Sequence, residues 1–164
     1  MDDNKKEFEE WKSKKTPTAN VDIDVINGYL AYEYEYLTSL LADDLGVMLW
    51  NLRKYALILK QEENTYRARA KWLSVAINKA LKPLASNYQS YDKDERFYSA
   101  MNEHEKYKEM NNNQMMAESK AIYLYDQIKQ IDYLITMIQK LWEYKLYLTK
   151  TKKELAKDDT TRAN

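Results

Sequence analysis

The stretch LGVMLWNLRKYALILKQEENTYRARAKWLSVAI, residues 45–77, decides the fold class of this chain. Its apolar residues recur at steps of three and four, which keeps them on one side of an α-helix. The stretch AESKAIYLYDQIKQIDYLITMIQKLW, residues 117–142, has the same spacing. The first seam comprises Leu45, Leu49, Leu52, Ala56, Leu59, Glu63, Tyr66, Ala70, Leu73, Ile77 and Ala80. The second seam comprises Ala117, Ala121, Leu124, Ile128, Ile131, Ile135, Ile138 and Trp142.

The composition also favours long helices. The 164 residues include only 2 Gly and 2 Pro, where average usage would give roughly twenty. So few helix breakers exclude the many turns of a β-sandwich or a doubly wound α/β fold. We therefore predict an all-α fold, an antiparallel hairpin of two long, coiled-coil-like helices with an additional N-terminal helix, and we expect it to form oligomers.

The predicted organisation is a single helical domain between two polar ends. Pro83 is expected to end the second helix, because the residue before a proline is pushed out of the helical region. Alternation in YEYEY, residues 32–36, is also typical of a strand, but with no second strand pattern to pair with it we favour helix. The predicted segments are a flexible polar arm at 1–20, a domain at 21–157 with helices at about 21–41, 44–82 and 94–156, and a frayed tail at 158–164.

Charge is balanced overall and uneven locally. The formal net charge is zero. Residues 21–44 hold six acids and no base, a net charge of −6, whereas residues 53–82 hold eight bases and two acids, a net charge of +6. Local asymmetry of this kind is evidence about binding partners rather than about the fold.

The basic region suggests a nucleic-acid interface. The residues that we expect to contribute are Arg53, Lys60, Arg67, Arg69, Lys71 and Trp72. The first three recur every seven residues beside the first seam. Single-stranded nucleic acid needs cations that neutralise phosphates and aromatic faces that stack on bases. The other interpretation is that these bases pair with acids of an assembly partner or of a neighbouring helix, for which residues 21–44 are available within the chain.

The residue set offers no obvious catalytic or metal chemistry. There is no cysteine, and His104 is the only histidine. Met101 stands three residues before it, where a helical di-iron site would need a glutamate. We therefore expect a protein that is not an enzyme and has no metal or cofactor. The longest apolar run, residues 45–52, is too short to cross a bilayer, and the charged first residues lack a signal-peptide pattern, so we expect a cytoplasmic location and no membrane partner.

The two seams, taken with the basic region, resemble a known family. Residues 45–77 look like the first long helix of the UvsY-like phage recombination mediators: an apolar helix containing Tyr, a Glu near its middle, then a basic stretch. ERFYSAMNEHEKYKEM at residues 95–110 and KAIYLYDQIKQIDYLITMIQKLWEYK at residues 120–145 are similar to the second half of that family. The resemblance extends over residues 45–145 and rests on spacing and character.

This resemblance implies a non-enzymatic accessory factor. Such a factor binds single-stranded DNA as a ring-like homo-oligomer and helps to load a recombinase onto strands covered by single-strand-binding protein, in the host cytoplasm. Lys60, Arg67, Arg69 and Lys71 lie in the matching basic stretch and would contact the DNA. The remaining possibility is a structural or protein-binding helical module, such as a phage assembly chaperone, scaffold or inhibitor.

Overall fold

The computed structural model describes residues 21–90 and 92–162, with side chains described as far as residue 154. The predicted polar arm at 1–20 and the last two residues lie outside this part of the chain. Within it all regular structure is helical, as predicted, and no strand is present. The helices are α1 (Ile23–Leu30), α2 (Tyr34–Ser39), α3 (Ala42–Ala85), α4 (Lys93–Glu103) and α5 (Glu105–Arg162).

The helix predicted at 21–41 is two short helices instead of one. Asp22 caps α1, since its Oδ1 accepts hydrogen bonds from the backbone N–H groups of Asp24 (3.0 Å) and Val25 (3.4 Å). The chain leaves the helical conformation at residues 31–33, and α2 begins after Glu33, whose side chain makes no capping hydrogen bond. Gly28 and the several tyrosines are weak helix formers, so little intrinsic propensity opposes this break.

Pro83 does not end the second helix as predicted, because α3 continues to Ala85. Proline removes one backbone donor, and so close to the C-terminus the loss is limited to a single hydrogen bond. Packing offsets it, because Leu81 and Ala85, which flank Pro83, are buried at 1% and 5% exposure. The burial of this last turn therefore outweighs the local cost of the proline.

The helix predicted at 94–156 is also two helices. His104 adopts an extended conformation (φ −119°, ψ 100°) between α4 and α5. The Asn-rich residues 111–114 lie within α5, which runs through them without interruption and continues past 156 to Arg162. Ala100 and Met101, just before the break, pack with Ile77 and Leu81 of α3, so the bend lets α4 keep its apolar side on that cluster.

Contacts divide the chain into two compact units, each containing part of α3 and part of α5. Their described residues are 60–126, here called the middle unit, and 21–59 with 127–162, here called the terminal unit. In the terminal unit α3 and α5 are antiparallel, because Gly46 meets Trp142 while Arg53 meets Gln139. The middle unit holds the turn of the chain and the apolar cluster around Ile77, Leu81 and Ala100.

Both predicted seams are buried in the structure. Of the second seam, every residue from Ala117 to Ile138 is less than a tenth exposed, and Trp142 is half-buried. The first seam follows the same pattern, with Ala56, Tyr66 and Ala80 half-buried. Burial at the predicted positions confirms long helices that pack through their apolar sides.

Candidate nucleic-acid interface

Three of the predicted site residues lie on one flank of α3 in the middle unit. At about 100° of rotation per residue, Lys60, Arg67 and Lys71 fall within about 40° of one another around the helix. We call these three residues the Lys60 flank. All three are exposed, and they border the buried seam without entering it. The flank therefore presents three cations to solvent along one side of a helix.

Glu63 is the acid beside this flank, and it is almost fully buried. The residue is 1% exposed and is the one buried charged residue in the described part of the chain. Arg67 Nε donates a hydrogen bond to its Oε1 at 2.5 Å, and Lys60 Nζ lies 3.3 Å from its Oε2. Lys60 is close enough for an ion pair, yet Oε2 accepts no hydrogen bond from any described group. Two half-exposed cations thus compensate one carboxylate within the seam.

The ionisation of Glu63 reflects two opposing effects. Burial disfavours the carboxylate and would raise its pKa, but the hydrogen bond from Arg67 and the positive charges of Lys60 and Arg67 outweigh burial and hold the pKa of Glu63 below its ordinary value. The side chain is therefore ionised at neutral pH. The local sum over Lys60, Glu63 and Arg67 is one positive charge.

The Tyr125 ring of α5 lies next to two cations of the Lys60 flank. Lys60 Nζ is 6.0 Å from the centroid of the Tyr125 ring, and the Arg67 guanidinium is 5.7 Å from it. Lys120 Nζ of α5 is 5.2 Å from the centroid of the Tyr66 ring on α3. These distances fall within the usual range of cation–π attraction. The rings hold the flexible cationic side chains close to the helix surface.

Two predicted site residues of the middle unit do not join the Lys60 flank. Arg69 lies about 180° around α3 from Lys60, at the opposite border of the seam, and is half-buried. Trp72 lies about 120° from Lys60, on the outer side of α3, and is 38% exposed. Proximity in sequence suggested one cluster of Arg69, Lys71 and Trp72, but helical rotation separates them. The assignment of Arg69 and Trp72 to a nucleic-acid interface stays a prediction.

Arg53, the remaining predicted site residue, belongs to the terminal unit. Its Nη2 donates a hydrogen bond to Oε1 of Gln139 at 2.8 Å, and Gln139 in turn donates to Glu143 at 2.9 Å. The Arg53 side chain is exposed, so this contact fixes its direction without removing it from solvent.

The ion pairs of the Lys60 flank are formed within α3. Both ion pairs found between described residues involve Glu63, with Lys60 and with Arg67. The acidic side chains from Asp22 to Asp44 are exposed and take part in neither. The Lys60 flank is therefore partly neutralised, by an acid of its own helix.

Sequence reasoning missed two functional side chains. Glu63 was assigned to the seam, yet its spacing of three and four residues from Lys60 and Arg67 is the ordinary signal of ion pairs within a helix. Lys145, whose role was not predicted from the sequence, donates from Nζ to the backbone oxygens of Thr38 (2.7 Å) and Leu40. It thereby satisfies carbonyls at the C-terminal end of α2. No sequence signal indicates a contact over such a separation.

The described residues contain neither a metal-binding cluster nor a membrane-spanning helix. No group of three or more His, Asp or Glu side chains there could hold a metal ion. No helix there is long and apolar enough to cross a bilayer. Comparisons with protein-family models, with curated proteins and with solved structures return no match.

Proposed function

We propose that this protein is a non-enzymatic, single-stranded-DNA-binding accessory factor. The observation that carries the proposal is the Lys60 flank: three exposed cations on one side of α3, for which Glu63 is the one ion-pairing acid among the described residues. Successive cations along a helix can follow a phosphate backbone, and their binding would release counterions. The finer role, recombinase loading in a phage-infected cell, is supported by the resemblance of residues 45–145 to the UvsY-like mediators.

Lys71 offers the cleanest test of this proposal. It is exposed and, unlike Arg67, is not needed to compensate Glu63, so Lys71→Gln removes a cation without disturbing the seam. If Lys71 contacts a phosphate, affinity for a labelled single-stranded oligonucleotide should fall about threefold at low salt. The slope of log K against log salt should become shallower by about 0.7. Fluorescence anisotropy at several salt concentrations measures both quantities.

Lys108→Gln is the matched control, because it removes the same charge from an exposed position on α5. It should leave the salt slope unchanged. Equal losses in the two variants would mean that only net charge matters, and the assignment of the Lys60 flank would fail. Wild-type protein that does not bind the oligonucleotide at micromolar concentration would end the DNA proposal.

A second candidate function is a helical module that binds protein, such as a scaffold or an assembly chaperone. It is favoured by exposed apolar side chains on α5 of the middle unit: Met115 (57%), Met116 (60%), Ile122 (62%) and Tyr123 (64%). They repeat at seven-residue intervals, as in a helix that packs against a partner. Self-association would use such a surface, and light scattering at micromolar concentration distinguishes oligomer from monomer.

A further inference from the structure

We propose that Glu63 limits the affinity of the Lys60 flank for polyanions. This inference rests on the proposed function, because it concerns the same cations. In this role Glu63 competes with the phosphate for the same cations. The single carboxylate of Glu63 already cancels half of the combined charge of Lys60 and Arg67 before a phosphate binds. Glu63 touches no ligand in this role and acts through the two cations.

The geometry of the contacts supports this role. Glu63 is fixed in the seam at 1% exposure, so it cannot swing away when a phosphate arrives. Its two cations are half-exposed, with side-chain exposures of 50% for Lys60 and 57% for Arg67. A bound phosphate would therefore lie on the solvent side of the cations while the carboxylate stays beneath them. The carboxylate then repels the phosphate across a short distance.

The size of this repulsion follows from Coulomb's law. For unit charges ~7 Å apart and an effective dielectric constant between ~40 and ~80, the interaction corresponds to a factor of about three to seven in affinity. Removing the charge of Glu63 should therefore tighten binding by that factor. The salt slope should also steepen, because Lys60 and Arg67 would then neutralise phosphate more fully.

Glu63→Gln isolates the charge from the hydrogen bond. The amide oxygen of glutamine can still accept from Arg67 Nε, so the orientation of Arg67 is kept while the negative charge is lost. Glu62→Gln is the matched control, because it removes one negative charge at the adjacent, exposed position, about 160° around α3 from the Lys60 flank. Glu63→Met, which fills a similar volume, is a second variant should the buried amide impair folding.

The experiment is an anisotropy titration of a labelled oligo(dT) with wild type, Glu63→Gln, Glu63→Met and Glu62→Gln, at several salt concentrations. We expect about three- to sevenfold tighter binding and a steeper salt slope for both Glu63 variants, and less than about twofold change for Glu62→Gln. Equal effects at positions 62 and 63 would overturn the inference, since net charge alone would explain them.

Weaker binding by Glu63→Gln would also overturn it, because Glu63 would then assist binding by orienting Arg67. These failures differ from failure of the proposed function. If wild type binds and the Glu63 variants bind no more tightly, only the role of Glu63 is wrong. If no protein in the series binds at low salt, the DNA-binding function itself is refuted, and the inference is refuted with it.

Discussion

Replacing Arg67 by methionine should destabilise the protein chiefly through Glu63. Methionine keeps much of the apolar stem of arginine but removes its charge and its donors. The Glu63 carboxylate would lose the hydrogen bond at 2.5 Å to Arg67 Nε and would keep only Lys60, at 3.3 Å. Glu63 is 1% exposed, so water cannot replace the lost donor.

The magnitude follows from the burial of the two groups. A hydrogen bond to a charged group contributes about 1.5–3 kcal/mol. Because the Arg67 side chain is 57% exposed, solvent screening reduces its contribution. We therefore expect the free energy of unfolding to fall by about 1.5 kcal/mol, the lower end of that range. Urea denaturation followed by far-ultraviolet circular dichroism measures this change.

A double-mutant cycle separates the ion pair from other effects of the substitution. In a Glu63→Gln background the buried charge is absent, so Arg67→Met should cost about 1 kcal/mol less than it does in wild type. Lys71→Met, at an exposed position on the same flank, is the control and should change stability by less than about 0.5 kcal/mol. An unchanged unfolding midpoint for Arg67→Met at neutral pH, or an equal cost in both backgrounds, would refute the reasoning.

The same ion pair has a defined pH dependence. The pKa of Glu63 is lower in the folded protein than its ordinary value, so the ionised carboxylate stabilises the fold. This contribution is fully present above the ordinary pKa of glutamate, about 4.3, and is lost as the pH falls through the lower, folded-state pKa. Wild type should therefore lose more stability than Glu63→Gln between pH 6 and pH 3.

Two further predictions concern the packing of the terminal unit. Ile131→Asp should abolish folding or lower the free energy of unfolding by more than about 3 kcal/mol, because Ile131 is 4% exposed and an unpaired charge there is costly. Gln130→Asp, at the adjacent exposed position, is the control and should leave the melting temperature nearly unchanged. Lys145→Met should cost about 1 kcal/mol because two backbone carbonyls at the end of α2 lose their donor. Lys140→Met at an exposed position is its control, and equal melting temperatures for the two lysine variants would contradict the capping role.

The helical class and the seams could be predicted because they depend on local pattern. Apolar spacing determines which side of a helix is buried, and the positions from Leu45 to Ile77 and from Ala117 to Ile138 were identified from that spacing alone. The breaks were harder to predict. Pro83 lies inside α3, and His104 separates α4 from α5. Neither was predicted, because packing between distant segments decides whether a local conformational preference is followed.

Helical rotation also explains why only part of the candidate site could be grouped from the sequence. The seven-residue repeat correctly placed Lys60 and Arg67 on one side of α3, and Lys71 follows from the same rotation. Arg69 and Trp72 were grouped with them by closeness in sequence, which ignores the rotation of a helix between adjacent residues. The degree to which Glu63 neutralises the flank depends on its burial, and burial is a property of the fold rather than of α3 alone.

The most direct test of DNA binding by the Lys60 flank is the salt dependence of wild-type binding to a single-stranded oligonucleotide. With the charge of Glu63 counted, the Lys60 flank carries two net positive charges, which predicts measurable binding at low salt and a slope of log K against log salt of about −1.4. Binding that is insensitive to salt, or no binding at micromolar protein, would contradict the proposal.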